Sequence, residues 1–351
     1  MQKSITLIQP DDWHVHWREG KVLPHTIRDT ATSFSQALIM PNLKKPLTHV
    51  SDVTAYYEEI SSILNNTFPH FTPWMTLYLT DTTSPDEIIK AKETGYILSA
   101  KLYPAGATTH SQAGVQSLEK LYPVFDMMQQ VDLVLNIHGE VTDPNCDIFA
   151  RETRFIQETL VKLMHAFPRL RITLEHISTQ YAVEFIQQST HPIAATITPH
   201  HLWLNRNNLL AGGIRPHYYC LPILKKQSDQ AVLIQAAISG DSRFFLGTDS
   251  APHSIANKLS SCGCAGIYNT TVALPLCATI FEQMNALDKL ENFTSRFGAE
   301  FYQVPTNTQS ITLVKQSHTI PSQLPFGDEW VVPLCAGETL SWRLIDPVAS
   351  V

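Results

Sequence analysis

Apolar residues occur along this chain in short runs, which are separated by longer segments where apolar and polar residues are mixed. Eight of these runs are rich in Ile, Leu, Val, Thr and aromatic residues, as expected of strands that are buried on both faces. The runs are SITLIQPDDWHVHW, QALIMPN, WMTLYLTD, ILSAKLYP, DLVLNIHGE, RITLEHIS, IAATITPHH and RFFLGTDS. The pattern predicts eight buried strands.

The segments between these runs carry the start and stop signals of helices. The clearest is Ser-Pro-Asp-Glu at 84–87, with an N-cap serine, a proline at the first helical position and acids in the first turn. This helix is expected to stop at Gly95, and further helices are expected over 147–167 and 225–239. Strands that alternate with helices predict a closed (β/α)8 TIM barrel of the α/β class. A doubly wound open sheet is the alternative, but no G-x-G-x-x-G follows the first strand.

The length of 351 residues fits one barrel domain. We predict a single domain over 1–351, in which 1–307 form the barrel and 308–351 form a small extension packed on it. The runs SITLVK, WVVPL and TLSWRL in this extension predict short strands. Residues 259–281 carry no charge but include Pro275, so we expect a loop and a buried helix there, not a membrane span.

The composition is that of an ordinary globular protein, with 44% hydrophobic and 16% charged residues. The net charge of -7 and the lack of a Lys/Arg run argue against a nucleic-acid partner. The first residues, MQKSITLIQP, lack the apolar core of a signal peptide, so we expect a cytoplasmic protein. Six cysteines in so long a chain do not suggest a disulfide framework, and reduced thiols are expected.

The stretch DDWHVHWR places two histidines one residue apart near the start of the chain. Side chains alternate between the two faces of a strand, so His14 and His16 are expected on one face. Trp13, Val15 and Trp17 are expected on the other face. Two neighbouring imidazoles suit a metal ion, although an isolated H-x-H is more often a pair of structural histidines.

Polar residues end several of the predicted strands, and in a (β/α)8 barrel the active site lies at the C-terminal strand ends. They are His14, His16 and Arg18, then Asn42, Lys101, His138 and His176, and finally Asp249 followed by His253. Imidazole and carboxylate groups are suitable ligands for zinc and similar divalent ions. Their joint placement predicts a metal site.

Lys101 does not fit this ligand set as an ordinary ammonium, because a cation does not bind a metal ion. Carbon dioxide can convert a neutral lysine amine into an anionic carbamate, whose two oxygens can bridge two metals. The alternative is a lysine that forms a salt bridge or binds the substrate.

Several longer segments resemble the dihydroorotase family, and in particular its shorter, stand-alone bacterial type within the amidohydrolase superfamily. They are DDWHVHWR, MPN, AKLYP with ATT after it, IHGEVT, EHIST, ATITPHHL, GGIRPHYYCLPILK and LGTDSAPH…K…SSCGCAG. The likeness runs in order from about residue 9 to 270, with a weaker match in CAGETLSWRL. The GGIRPHYYCLPILK and SSCGCAG segments are the most specific.

The resemblance implies two zinc ions per subunit and a homodimer. One metal is expected on His14, His16 and Asp249 and the other on His138 and His176, with carboxylated Lys101 and a hydroxide bridging them. The implied reaction is the reversible cyclisation of N-carbamoyl-L-aspartate to L-dihydroorotate plus water, in pyrimidine (UMP) biosynthesis. Asp249 is expected to shuttle the proton.

The resemblance also implies how the small-molecule substrate is bound. Arg18, Asn42 and His253 are expected to hold its α-carboxylate, and backbone groups of Leu221 and Ala265 its ring amides. Thr108 and Thr109 lie on a loop, 105–113, that is expected to close over the site. Gly106 and His110 in that loop depart from the family pattern, which puts the motion of the loop in doubt.

Two other functions fit parts of the pattern. A hydantoinase or allantoinase could use the same metal ligands, but its substrate needs no carboxylate clamp. A non-catalytic scaffold protein should have lost ligands or the base, whereas every expected position is filled.

The remaining histidines are interpreted as residues that do not bind a metal. His200 and His201 end the seventh strand, where support of the site or packing is expected. The isolated histidines at 25, 49, 70, 165, 191, 217 and 318 are expected in surface or capping roles.

Overall fold

The computed structural model describes residues 3–345, and its centre is one sheet of eight parallel strands. Each strand pairs with the next along the chain. The strands are β2 (Asp11–Val15), β3 (Gln36–Ile39), β4 (Thr72–Tyr78), β5 (Ile97–Leu102), β6 (Val134–His138), β7 (Ile172–Glu175), β8 (Ile193–Ile197) and β9 (Phe244–Leu246).

Backbone contacts between the first and last strands close this sheet. Asp249 N–H donates to the His14 carbonyl at 2.8 Å, and His16 N–H donates to the Ser250 carbonyl at 3.1 Å. Val15 also forms a parallel bridge with Ser250. The predicted (β/α)8 barrel is confirmed.

The helices lie between these strands and after the last of them. They are α1 (Leu23–Ala31), α2 (Val50–Thr67), α3 (Pro85–Glu93), α4 (Tyr122–Val131), α5 (Arg151–Phe155), α6 (Val161–Ala166), α7 (Gln180–Gln188), α8 (Pro199–Trp203), α9 (Arg206–Leu210), α10 (Gln227–Ile238), α11 (Ile255–Lys258), α12 (Ala273–Gln283) and α13 (Phe297–Tyr302). None of the helices within 3–345 is long and apolar enough to cross a membrane.

The predicted start and stop of the helix between Ser84 and Gly95 agree with the structure. The Ser84 hydroxyl accepts a hydrogen bond from the Glu87 N–H, and Gly95 has a φ of 75° just after α3. This left-handed conformation suits glycine and stops the helix. The helix expected over 147–167 begins later, at Arg151, and contains a π-helical segment, Ile156–Leu160, between α5 and α6.

The first apolar run forms two strands, so the prediction of one continuous strand is wrong. Strand β1 (Ser4–Ile8) pairs antiparallel with β10 (Ser310–Val314), outside the barrel. Gln9 and Pro10 separate β1 from β2, and proline has no N–H with which to continue a ladder. Strand β10 also pairs with β15 (Arg343–Leu344), which completes a three-stranded sheet.

The rest of the C-terminal segment contains short antiparallel pairs, as its apolar runs predict. These strands are β11 (His318–Thr319), β12 (Leu324–Phe326), β13 (Glu329–Val331) and β14 (Thr339–Leu340). Trp342 is buried, and its indole N–H donates to Glu282 just within the end of α12 at 2.9 Å. The segment therefore packs on a barrel helix; its residues from 346 onward lie outside the described part.

A cluster of large side chains fills the barrel near the N-terminal ends of the strands. The rings of Trp13 and Tyr302 stack at 4.7 Å, and Phe245 packs against Tyr302. Val15 and Trp17 belong to a different cluster, so the expectation that Trp13 shares their face is wrong. The register between β2 and β3 shifts between Asp12 and Val15, which breaks the strict alternation of faces.

Candidate metal centre and active site

The C-terminal ends of the strands bring the predicted metal ligands together at one mouth of the barrel. His14 lies in β2 and His138 ends β6, while His16, His176 and Asp249 follow strand ends. His176 and Asp249 have φ angles of 43° and 45°, a left-handed backbone that costs non-glycine residues about 1–3 kcal/mol. His176 comes directly after β7, and Asp249 follows the end of β9 by three residues.

His14, His16 and Asp249 form the tightest group. The Nε2 atoms of the two histidines lie 3.2 Å apart. Asp249 Oδ1 lies 3.0 Å from His16 Nε2 and 3.3 Å from His14 Nε2. All three residues are buried, so three potential ligand atoms converge on one small region.

A second histidine pair lies beside this group. His138 Nδ1 is 3.2 Å from His176 Nε2, and the ring centroids of His14 and His176 are 5.1 Å apart. The other ring nitrogen of His138 lies 2.9 Å from a carboxylate oxygen of Glu140, which can fix the orientation of the ring. The two groups form one continuous cluster.

Burial sets the charge state of these side chains. It lowers the pKa of His14 and His176 and lowers that of His16 to about 3, so neutral imidazoles can offer lone pairs near pH 7. Burial opposes ionisation of Asp249, but the neighbouring imidazoles outweigh it and hold the pKa of Asp249 well below its usual range. The same burial lowers the pKa of the Lys101 amine strongly.

Glu175 is a site residue that the sequence reasoning missed. It is buried at the end of β7, where it contacts Lys101 Nζ and lies 3.0 Å from His14 Nδ1. Asn136 Nδ2 donates to Glu175 Oε1 at 2.8 Å. The available signal in the sequence was a glutamate in a strand predicted to be buried on both faces. Strict alternation of side chains between the two faces, however, would place Glu175 on the face opposite His176.

The predicted carboxylate-binding residues lie at the outer edge of the cluster. Arg18 donates through Nε to the Pro252 carbonyl at 3.0 Å, and its Nη2 lies 3.2 Å from His253 Nε2. Within residues 3–345, the Arg18 guanidinium has no carboxylate partner at ion-pair distance. Asn42 keeps its side-chain oxygen without a hydrogen bond while its amide nitrogen binds the Thr109 carbonyl. The Arg18 guanidinium is therefore the group at this edge that is free to pair with an anion, whereas the free atom of Asn42 is an acceptor.

The loop that carries Thr108 and Thr109 lies over the mouth. The Thr109 hydroxyl donates to the Ala265 carbonyl at 3.4 Å, and Tyr78 binds the His110 carbonyl. His110 has a φ of 57°, which is uncommon outside glycine. Thr108 and Thr109 line the cavity in this structure.

One cavity is lined by all but two of the predicted site residues. Lys101 lies beneath it, fully buried, and His253 lines an adjoining cavity that shares Arg18 and Asn42. The lining residues are His14, His16, Arg18, Asn42, Tyr103, Thr108, Thr109, His138, His176, Leu221, Asp249, Ala251, Ala265 and Gly266.

Buried His200, His201 and Cys220 form another group of potential ligands. Both ring nitrogens of His201 have partners, however, at 2.7 Å from the Thr198 hydroxyl and 3.0 Å from the Pro222 carbonyl. His200 Nδ1 lies 2.9 Å from the Asn269 side-chain nitrogen. These contacts agree with a supporting or packing role.

A closed (β/α)8 barrel whose C-terminal mouth collects histidines and an aspartate is typical of the amidohydrolase superfamily. No protein-family model matches the chain. It is 56% identical over 342 residues to a dihydroorotase of Coxiella burnetii (strain RSA 331 / Henzerling II), covering 97% of this chain and 98% of that protein.

Two crystal structures of dihydroorotases share the fold over nearly their whole length. The Campylobacter jejuni protein is 33% identical with a TM-score of 0.90, covering 98% of each chain. The Saccharomyces cerevisiae protein, in complex with 5-fluoroorotic acid, is 36% identical with a TM-score of 0.88, covering 98% of this chain and 99% of that one. The chain belongs to the dihydroorotase family, and this membership implies a metal cofactor.

Proposed function

We propose that this protein catalyses the reversible cyclisation of N-carbamoyl-L-aspartate to L-dihydroorotate with release of water, a step of pyrimidine biosynthesis. The observation that carries the proposal is the convergence of His14, His16 and Asp249 beside Arg18, which has no acidic partner among the described residues. One cavity thus combines a cation-binding group with a free anion-binding group.

The residues present fit a pair of divalent metal ions, for which we propose zinc. The 3.2 Å approach of two imidazole Nε2 atoms, with a carboxylate oxygen beside both, is a donor set for a divalent cation. We assign one ion to His14, His16 and Asp249 and the other to His138 and His176.

We further propose that Lys101 carries a carboxyl group in the metal-loaded enzyme. An ammonium 4 Å from a dication would cost about 8 kcal/mol at an effective dielectric constant of about 20. Lys101 is fully buried beneath the cluster, so it cannot turn its charge towards solvent. In the structure its amine contacts Glu175, which is the salt-bridging alternative that the sequence left open.

Two bound divalent cations would lower the pKa of a water molecule and polarise the substrate carbonyl. In the hydrolytic direction the water oxygen bonds to the ring carbonyl carbon, and the ring C–N bond breaks. Asp249 takes the proton of the water and delivers it to the departing ring nitrogen. In the direction of cyclisation, Asp249 returns the proton to the water that leaves.

The chain's own groups hold the substrate. We assign its carboxylate to Arg18, Asn42 and His253, because a guanidinium can form two parallel hydrogen bonds to a carboxylate. We assign the ring amides to Leu221 and Ala265. Within residues 3–345, the N–H and C=O of Leu221 and the N–H of Ala265 form no hydrogen bond, so they are available to a ligand.

Turnover of four substrates tests this proposal against the hydantoinase and allantoinase alternatives. Dihydroorotate and N-carbamoyl-L-aspartate should react, hydantoin and allantoin should not, and a chelator should abolish the reaction until zinc is added back. Preferred turnover of hydantoin or allantoin would contradict the proposal, and inactivity of zinc-loaded protein with all four would favour the scaffold role.

We also propose that the enzyme is a homodimer, as the family resemblance implies, and that it is cytoplasmic and folds as a single domain. Sedimentation equilibrium of the full chain tests the homodimer, and fractionation of the producing cell tests the cytoplasmic location. A single cooperative unfolding transition tests the prediction of a single domain.

A further inference from the structure

Lys258 is a buried lysine for which the reaction above has no role. It ends α11 and is only 4% exposed. Its Nζ donates to three carbonyls, those of Tyr219 at 2.8 Å, Cys264 at 2.9 Å and Gly266 at 2.8 Å. An ammonium has three N–H donors, so this side chain is fully used. Among the described residues no carboxylate lies within ion-pair distance of it.

The three carbonyls belong to the two loops that form one wall of the active-site cavity. Tyr219 lies two residues before Leu221, while Cys264 and Gly266 flank Ala265. The Gly266 N–H also donates to the Tyr219 carbonyl at 2.9 Å, so the two loops meet at the lysine. Lys258 therefore joins the two backbone segments to which we assigned the ring amides.

The contact with Cys264 determines where the Ala265 N–H points. The Cys264–Ala265 peptide is trans, so its N–H is directed opposite to its C=O. Because the C=O points to the lysine, the N–H points away from it. The Ala265 carbonyl in turn lies 3.0 Å from His253 Nε2 and accepts from the Thr109 hydroxyl at 3.4 Å. Ala265 thus turns its N–H away from Lys258, while its carbonyl contacts His253 and Thr109.

We propose that Lys258 is a positioning residue for the substrate ring: it holds the peptide groups at Leu221 and Ala265 in the orientation that receives the ring amides. The proposal rests on the proposed function and deepens it. Lys258 acts through the backbone and does not touch the substrate.

The identity of the side chain is decisive for this role. A buried ammonium is costly unless all its donors are used, and three carbonyls converging on one atom meet that need. Methionine has a similar length and apolar body but no donor. Arginine keeps the charge, but its planar fork cannot point three donors from one atom at the same three carbonyls.

The test compares Lys258→Met and Lys258→Arg with the wild type, all loaded with zinc. We expect KM for both dihydroorotate and N-carbamoyl-L-aspartate to rise at least about tenfold in each variant, with a smaller change in kcat. The Kd of orotate, measured by calorimetry, should rise by a similar factor. Metal content should stay at the wild-type value, because no proposed metal ligand is changed.

Lys226→Met is the control, since this lysine has an exposed side chain. It should leave KM, kcat and orotate binding unchanged. If Lys258→Met does not fold, Lys258→Arg alone decides the matter. A folded variant with a lowered melting temperature but wild-type KM and orotate Kd would overturn the proposal. Absence of turnover in the wild type would instead refute the proposed function, and orotate binding would still test Lys258.

Discussion

Replacing Glu175 with glutamine keeps the shape of this buried side chain and removes its negative charge, whereas alanine removes both. Glu175 lies 3.0 Å from His14 Nδ1 and contacts Lys101, so it touches two of the residues that we assign to the metals. A carboxylate behind a histidine ligand orients the ring and increases its basicity. Both effects favour metal binding through the other nitrogen of the ring.

The structure ranks the two substitutions. Glutamine can keep an oxygen towards the Asn136 amide nitrogen and His14 Nδ1, so the orientation of the ring is retained, while the charge and the acceptor that faces Lys101 are lost. We expect the Kd for zinc to rise about tenfold in Glu175→Gln, which corresponds to about 1.4 kcal/mol of binding free energy. In Glu175→Ala we expect the Kd to rise about a hundredfold.

The assay is titration of metal-free protein with zinc in competition with a chromophoric chelator. Melting temperatures of the metal-free proteins show whether each variant is folded. Glu184→Gln, an exposed position on α7, is the control and should bind zinc like the wild type. Wild-type affinity in Glu175→Ala, or weaker binding in Glu175→Gln than in Glu175→Ala, would refute this reasoning.

Three further substitutions test the assigned roles. Asp249→Asn should retain metal but lower kcat about 10²–10⁴-fold in both directions, because an amide cannot accept the proton; near-normal turnover would remove Asp249 as the base. Arg18→Met should raise KM at least about tenfold, on the order of 1.4 kcal/mol, with metal content unchanged; an unchanged KM for both substrates would place the carboxylate elsewhere. Lys101→Ala should bind fewer than two metals and be nearly inactive, with partial recovery in short carboxylic acids. Carbon-13 NMR after labelled bicarbonate tests the carbamate directly, and an unmodified lysine in fully loaded, active enzyme would contradict it.

Much of this architecture could be predicted because its signals are local. Ser84 and Gly95 mark the ends of a helix by their own chemistry, and runs of β-branched residues mark strands buried on both faces. Once eight strands alternate with helices, their C-terminal ends must share one mouth. The grouping of His14, His16 and Asp249 followed from that topology.

The points that sequence reasoning missed depend on small departures from regular strands. Pro10 separates β1 from β2, and a register shift before Val15 gives Trp13 a different neighbourhood from Trp17. The positive φ of His176 lets Glu175 and the following histidine enter the same site. A periodicity of two assigns faces correctly only where the strand stays regular.

The stacked Tyr302 at the bottom of the barrel has a consequence for its opposite end. The Tyr302 hydroxyl donates to Asn136 Oδ1 at 3.0 Å. This hydrogen bond fixes the orientation of the Asn136 amide, with its oxygen towards Tyr302. The Asn136 nitrogen is therefore the atom presented to Glu175. Through this one amide, Tyr302 of helix α13 fixes which group meets Glu175, the residue that contacts His14 and Lys101. Hydrogen bonds therefore connect the last barrel helix to the residues at the opposite end of the barrel.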